Sequence, residues 1–289
     1  MQKSFQSYKV AAVVYLQGFI SISSRAPLQH LSERRRKEIA SLARSKGRTK
    51  HQQMLIEGWR SVVSALDAHA PIVDLLVTPR FNQHADYSVI AAKVASQGVS
   101  LYEVSEKEAR LISTTETDQG IIAVAKIDPV PIEVFLSFAS VVVLDGVQDP
   151  GNVGTIIRTA AWFGIEGVIG ARGTADFYNP KVIRSSMGGI WDVSLSRVED
   201  IASVLRKLQD KGSKIVAADL QGKPLQDWRP EQRVALVIGG EAHGISDEVH
   251  VLIDESVTIP GGKGAGVESL NAGLAAGIIM HHWAGHRPL

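Results

Sequence analysis

The stretch from Val141 to Ala161 leaves the chain little freedom of fold. Val141, Val142, Val143 and Leu144 form an unbroken aliphatic, largely β-branched run, the pattern of a strand covered on both faces. Asp145 through Gly151 supply turn residues, and Val153, Ile156, Ile157, Ala160 and Ala161 then recur at helical spacing. Asn152 falls at or just before the predicted helix start, where an Asn acts as an N-cap, and Arg158 lies about two turns in, where an Arg is ordinarily a solvated charge.

The same alternation continues on both sides. After this first unit (strand 141–145, helix 153–163) the pattern predicts a strand at 167–171, a helix at 179–187 and a strand at 192–197. A helix at Ile201–Asp210, strands at Lys214–Leu220, Val234–Ile238 and Ser256–Ile259, and a helix at Leu270–His282 follow. This is a parallel-sheet α/β domain over 139–289, whose sites form at the carboxyl ends of the strands. Ahead of it, an amphipathic helix carrying Val62, Val63 and Leu66 is followed by strand 72–77, helix 87–97, strand 99–104, helix 105–112 and strand 121–127, a smaller α/β domain over 31–127. Asp128-Pro129-Val130-Pro131 breaks both patterns and opens a linker over 128–138. A length of 289 residues suits two domains.

Residues 1–30 read as an N-terminal extension, strand-like or poorly ordered. Lys3 and Lys9 precede an apolar run from Val10 to Ile22 that superficially matches a secretory signal. Gln17 and Gly18 interrupt it, no small-x-small cleavage site follows, and the run is too short to span a bilayer. The absence of cysteine excludes disulfides, thiolate zinc sites and cysteine nucleophiles, and fits a cytoplasmic location.

A formal net charge of +1 conceals a local positive patch between Leu31 and Arg60. Arg44, Lys46, Arg48 and Lys50 fall in a segment containing Ser45 and Gly47 that reads as a loop, from which side chains could reach an RNA or DNA backbone. The alternative is a solvated helix face.

The glycines are tested first against familiar nucleotide sites. Gly146, Gly151 and Gly154 miss the dinucleotide spacing G-x-G-x-x-G, and Gly261-Gly262-Lys263-Gly264 lacks the Ser or Thr and the leading Gly of a phosphate loop. His281, His282 and His286 have no carboxylate at ligand spacing and read as the polar end of a helix, so no metal site is expected. Two more loops share the character of the first: Gly239-Gly240-Glu241-Ala242-His243-Gly244, and Ile259-Pro260 running on to Glu268-Ser269-Leu270-Asn271, each following an apolar strand.

Taken in order, Asn152-x-Gly154-x-x-x-Arg158-Thr159-Ala160, Gly239-Gly240-Glu241-x-x-Gly244 and Ile259-Pro260 … Glu268-Ser269-Leu270-Asn271-Ala272 resemble the three signature motifs of the SpoU, or TrmH, family of RNA ribose 2′-O-methyltransferases. The resemblance covers roughly 139–289, and the preceding domain is similar to the small RNA-binding domain that often accompanies it. It implies a SPOUT fold with a C-terminal trefoil knot, an S-adenosylmethionine site, no metal, and a homodimer whose active site is built across the subunit interface. It implies a catalytic role for Arg158, with Asn152, Glu241, Ser269 and Asn271 orienting the reactants. Gly239, Ile259 and Leu270 match cofactor-contacting positions, with Ala218 and Gly240 as neighbours, and Arg184 matches a basic, RNA-facing position. The third loop is about two residues longer than in many members, which leaves the register of 261–266 unassigned.

The implied reaction is attack of a ribose 2′-hydroxyl on the sulfonium methyl group. Because a guanidinium stays protonated at ordinary pH, Arg158 is expected to stabilise the developing alkoxide or align the hydroxyl rather than serve as a base. The separate N-terminal domain favours ribosomal RNA over transfer RNA. A non-catalytic RNA-binding protein of the same fold is the competing class; a dinucleotide-dependent oxidoreductase would need a fingerprint that is absent.

Overall fold

In the computed structural model, which describes residues 29–262 and 266–287, the strands form two sheets. The signal-like run and nearly all of the expected extension, and Lys263 through Ala265 of the third loop, lie outside the described residues.

The second sheet positions the site. It contains β6 (Ser140–Asp145), β7 (Gly167–Gly170), β8 (Ser194–Arg197), β9 (Lys214–Pro224), β10 (Val234–Gly239) and β11 (Glu255–Thr258), all parallel, in the order β11-β9-β10-β6-β7-β8. The chain leaves β6 toward β7 and β8, then crosses back to build β9 and β10 on the other side. The order therefore reverses between β6 and β10, whose last residues Asp145 and Gly239 are partners. A crevice at such a switch point is where open α/β sheets bind ligands.

The unbroken apolar run of β6 is explained by its two covered faces. Val142 and Leu144 pack with α7 (Pro150–Trp162) and α11 (Ala272–Gly285), while Val141 and Val143 pack with α6 (Ile132–Phe135), α9 (Ile201–Asp210) and α10 (Asp247–His250). Full burial of each such side chain stabilises the fold by roughly 1.5–3 kcal/mol. Segment 128–138, expected as a linker, carries α6 and buries Phe135 in the core of this sheet.

The first sheet has the order β1-β4-β3-β5-β2: β1 (Gln29–His30), β4 (Ser100–Glu103) and β3 (Ile72–Val77) run parallel, β5 (Ile121–Lys126) runs antiparallel to β3, and β2 (Gln53–Glu57) pairs antiparallel with β5. The sequence pattern did not separate β2 from the helix after it, α3 (Trp59–Asp67), because Gly58 is the sole break between an apolar strand and an apolar helix face. Helices α1 (Glu33–Ser41) and α5 (Glu106–Ile112) cover one face, with α4 (Tyr87–Ser96) and α3 on the other.

Three local expectations are corrected. Residues 45–51 are not an open loop but helix α2 (Ser45–His51), seated so closely on α1 that a Cβ on Gly47 would lie 2.0 Å from the Ser41 carbonyl oxygen. Helix α7 begins at Pro150, and its N-cap is Asp149, whose carboxylate accepts the Asn152 N–H at 2.9 Å; Asn152 is inside the first turn and its side chain is free for other work. The last helix begins at Ala272, with Asn271 as its cap, and runs to Gly285.

Candidate active site

Two of the expected RNA contacts turn out to hold the chain together. Arg48 is 3% exposed; its guanidinium pairs with Asp176 at 2.6–2.8 Å and donates to the carbonyls of Leu42 and Ala43. Arg184, on α8 (Pro180–Ser186), donates to the buried carboxylate of Glu57 at 2.5 Å and to Thr114 Oγ1 at 2.9 Å. Both pairs bridge the two sheets' domains, and the apolar core is continuous between them, with Met54 and Ile56 in the same cluster as Val153 and Val182. Arg48 and Arg184 are thus struts rather than free cations. Much of the α1 charge is also neutralised, with Arg34 on Glu38, Arg35 on Asp74 and Lys37 on Glu33. Arg44, Lys46 and Lys50 remain exposed and without an ion pair among the described residues.

Helix α7 packs on α8 with almost no gap, since a Cβ on Gly154 would come within 1.9 Å of Ser185 Oγ and 2.7 Å of the Val182 carbonyl oxygen. That contact and the Asp149 cap fix the first turn of α7. Lys181 reaches from α8 to Asp149 at 3.1 Å. Burial alone would raise the Asp149 carboxyl, but hydrogen bonds from the Asn152 N–H and the Lys181 ammonium outweigh it and hold the group below its ordinary range.

The buried Asn152 side chain then meets residues from both other loops. Its amide donates to Glu241 Oε1 at 2.6 Å, and Asn271 donates to Asn152 Oδ1 at 2.9 Å and to Glu241 Oε1 at 3.2 Å. The Asn271 carbonyl oxygen caps α11 by accepting the Leu274 N–H. Gly273 leaves room for this triad, as a Cβ there would stand 3.3–3.4 Å from the Asn271 and Asn152 oxygens. One member comes from each loop, so the cluster joins the ends of β6 and β10 to the start of the last helix.

Arg158 and Ser269 are not part of that network. Both are exposed, and neither makes a side-chain hydrogen bond or ion pair among the described residues. Arg158 is further along α7, on the face with Trp162, which is 84% exposed.

Four of the five expected cofactor positions lie on or just after the neighbouring strands β9, β10 and β11, and the fifth, Leu270, precedes α11. Ala218 of β9 and Ile259 beyond β11 are partly buried against the main core, and Leu270 is exposed beside α11. Gly239 and Gly240 end β10, where backbones come so close that a Cβ would meet Gly244 and Gly146 main-chain atoms, each at 2.4 Å. Ala218 and Ile259 offer apolar surface on strands beside the closed glycine turn at 239–244, where Gly240 and Gly244 exchange backbone hydrogen bonds, and such surface suits the flat apolar part of a ligand like S-adenosylmethionine. Among the described residues no group of His, Asp and Glu could hold a metal ion.

Beside the cluster a cleft of about 280 Å³ opens between the loops that follow β6, β7 and β10, lined by Asp145, Gln148, Arg172, Glu241, His243 and Ser246, among others. Asp145, Gln148, Arg172 and Ser246 line the cleft but belong to none of the three motifs. Asp149-Pro150 did carry a legible signal, since an acidic cap followed by proline marks a helix start.

Residues 139–281 match the family model described as the SpoU rRNA methylase family, and residues 33–123 match an MRM3-like substrate binding domain. A Bacillus subtilis protein named 23S rRNA (guanosine(2553)-2′-O)-methyltransferase is 32% identical over 250 residues, covering 86% of this chain and 95% of that protein. The chain belongs to the SpoU rRNA methylase family. Among solved structures, a TrmH-family protein from Porphyromonas gingivalis superposes with a TM-score of 0.74 at 32% identity, covering 88% of this chain and 98% of that one. The AdoMet-bound rRNA methyltransferase of Sinorhizobium meliloti gives a TM-score of 0.78 at 27% identity, over 90% and 97%. The parallel sheet with its 11-9-10-6-7-8 order is accordingly that of a SpoU-family methyltransferase. No helix among the described residues is long and apolar enough to cross a membrane.

Proposed function

We propose that this SpoU-family protein transfers a methyl group from S-adenosylmethionine to a ribose 2′-hydroxyl of structured ribosomal RNA. The observation that carries the reading is the hydrogen-bonded union of Asn152, Glu241 and Asn271, one from each motif, at the switch-point crevice of the sheet.

S-adenosylmethionine supplies an already activated methyl group, so the protein's task is positioning and charge stabilisation. Ala218, Ile259 and Leu270 would hold the apolar part of the cofactor, and the main chain at Gly239 and Gly240 its polar end. The amides of Asn152 and Asn271 fix Glu241 so that its other oxygen orients the target nucleotide. Ser269, immediately before Asn271, contacts the same nucleotide. Arg158, permanently protonated, stabilises the alkoxide as it develops. Arg44, Lys46 and Lys50 attract the RNA backbone from α2.

Two further elements belong to this reading. A second copy of the chain covers the face where α7 exposes Trp162 and α11 exposes Leu274, bringing Arg158 to a shared site. The C-terminal helix, packed on α7 and on β9 and β10, completes a trefoil knot. The cytoplasm is the proposed place of action, in keeping with a chain that has no cysteine.

The test is transfer of radiolabelled methyl groups to unmodified rRNA transcripts, with S-adenosylmethionine binding followed by calorimetry. A 2′-deoxy nucleotide at the modified position should abolish transfer; continued methylation there would assign the acceptor to a base and overturn the reading.

A further inference from the structure

A second cleft opens at the junction of the two domains, where the Arg184–Glu57 strut joins them. Its volume of about 400 Å³ falls within the range of small-ligand sites, roughly 300–1,000 Å³, and leaves room for one nucleotide. It shares no lining residue with the cleft beside Glu241, and none of its residues belongs to the three motifs.

One wall is aromatic. Trp59 is the first residue of α3, and its N–H donates to Gln119 Oε1 at 3.0 Å. Gly58 before it has φ +88°, and a Cβ there would stand 2.9 Å from that same oxygen, so glycine at 58 is what lets Gln119 cap the helix and hold Trp59 at the cleft. The partly buried indole is braced by other rings: His84 lies 5.7 Å from it between centroids and stacks at 5.1 Å on Phe81, which is buried. The Arg60 guanidinium lies over the indole at 5.5 Å. Together Trp59 and Arg60 make a preformed stacking platform.

The charge at the cleft favours an anionic occupant. Glu57 and Asp118 line it, but each carboxylate is already paired, with Arg184 and with Arg80. Arg60, which is exposed, is the one lining charge without an ion pair among the described residues. Hydrogen-bonding capacity is also spare, since Ser61 Oγ, Thr117 Oγ1 and the Gln119 amino group have no partner among the described residues. From the catalytic domain comes Met187, 52% exposed and held at φ +49°, a left-handed conformation rare for a residue with a side chain. Such strain persists at ligand clamps, and here it puts a polarisable thioether on the cleft. A π-face, a free cation and spare polar groups fit a nucleotide, and residues 33–123, which carry most of this wall, match a substrate binding domain.

We propose that this cleft receives one unpaired nucleobase of the substrate RNA, stacked on the Trp59–Arg60 platform, from a nucleotide other than the one methylated. The inference rests on the RNA-methyltransferase reading above and adds a contact of a different kind: the lysines of α2 attract backbone charge wherever it lies, whereas a stacking pocket requires a base that is free of its helix.

The test uses the full chain and an rRNA transcript containing the nucleotide whose 2′-O-methyl group depends on the gene. Trp59→Phe keeps a π-face and Trp59→Leu keeps only apolar bulk; urea unfolding compares their stabilities. Trp59→Phe should bind the transcript nearly as wild type does, while Trp59→Leu should raise Kd about fivefold or more, the worth of one base stacked on an aromatic ring. The slope of log affinity against log salt should stay at the wild-type value in Trp59→Leu, because no phosphate contact is lost. Abasic substitution at each unpaired nucleotide of the transcript should then find one position that costs wild type a similar factor and Trp59→Leu nothing further. Arg60→Ala, at an exposed position that needs no repacking, should show the same non-additivity with that abasic site. Equal Kd for the Phe and Leu variants, or an abasic scan in which every loss simply multiplies with those of Trp59→Leu and Arg60→Ala, overturns the proposal while methyl transfer by wild type leaves the methyltransferase reading intact. If no 2′-O-methyl group depends on the gene, both fall. Binding of free nucleoside monophosphates that Trp59→Leu abolishes, with RNA affinity unaltered, would assign the platform to a free nucleotide and likewise overturn the proposal.

Discussion

Asn152 and Glu241, 89 positions apart in the chain, are joined by a hydrogen bond of 2.6 Å from the Asn152 amide to the Glu241 carboxylate. The contact ties the first turn of the helix after β6 to the loop after β10, across the line where the sheet's strand order reverses. Asn152→Asp replaces the donor with a second carboxylate. Two like charges then face each other, which disfavours ionisation of both. Methyl transfer should fall about 100-fold at neutral pH, as expected of a mispositioned site, and recover partly as pH is lowered and a shared proton restores the bridge. A pH–rate profile checks this; a flat deficit would sever the link between the contact and the reaction.

Arg158→Ala should reduce kcat by roughly 10²–10³-fold, the usual cost of losing a group that stabilises developing charge. Because Arg158 is exposed and unpaired among the described residues, stability should change by no more than about 0.5 kcal/mol. Arg158→Lys should keep measurable activity with unchanged affinity for S-adenosylmethionine. Complete loss in a folded, RNA-binding Lys variant would mean that the planar guanidinium itself is required.

The basic residues of α2 should divide into two kinds. Arg48→Ala strips Asp176 of its buried partner and leaves the Leu42 and Ala43 carbonyls without their donor, a cost of about 3–5 kcal/mol in urea unfolding. Lys46→Ala and Lys50→Ala should unfold like wild type and each reduce the slope of log affinity against log salt by about one. A normal fold with a reduced slope for Arg48→Ala would return that residue to the RNA.

Asp149 caps α7 and pairs with Lys181, and its carboxyl titrates below the ordinary value. A depressed folded-state pKa contributes stability that is complete above the unfolded value and is lost as pH falls through the folded one. Asp149→Ala should therefore cost about 1 kcal/mol at pH 7. The gap from wild type should narrow from about pH 4 downward and close below the folded pKa. Denaturant midpoints across that range would show a constant gap if the cap worked without its charge.

If two copies pair through this face as proposed, Trp162→Lys should convert that dimer to a monomer by light scattering while leaving circular dichroism unchanged, because this side chain is 84% exposed within its own chain. Loss of methyl transfer in the folded monomer would follow from a site shared between copies. A dimer that persists would place the contact elsewhere.

The alternation of apolar strands and helices was legible because it obeys simple periodicities, and β6 was legible above all because both of its faces are covered. The three loops were legible as motifs. Their convergence was not, since the bond between Asn152 and Glu241 depends on strand order rather than on spacing. Arg48 and Arg184 were misread for a related reason: in sequence a basic residue shows only its charge, and their partners Asp176 and Glu57 lie 128 and 127 positions away. The segment around Gly47 looked like a loop because glycine usually breaks helices, whereas here its missing side chain is what allows α2 to sit on α1. Arg172 belongs to no motif, and only the shape of the cleft singles it out.

The two arginine struts also bear on how an RNA would be measured. With Arg48 on Asp176, Arg184 on Glu57 and one apolar core running between the domains, the exposed lysines of α2 and the crevice at the ends of β6 and β10 keep a set separation. On the proposed function, a molecule braced in this way would act as a gauge rather than a hand, favouring an RNA whose own fold presents backbone and target nucleotide at that span. Loosening either strut would be felt first as modification at the wrong nucleotide, before any loss of the ability to methylate.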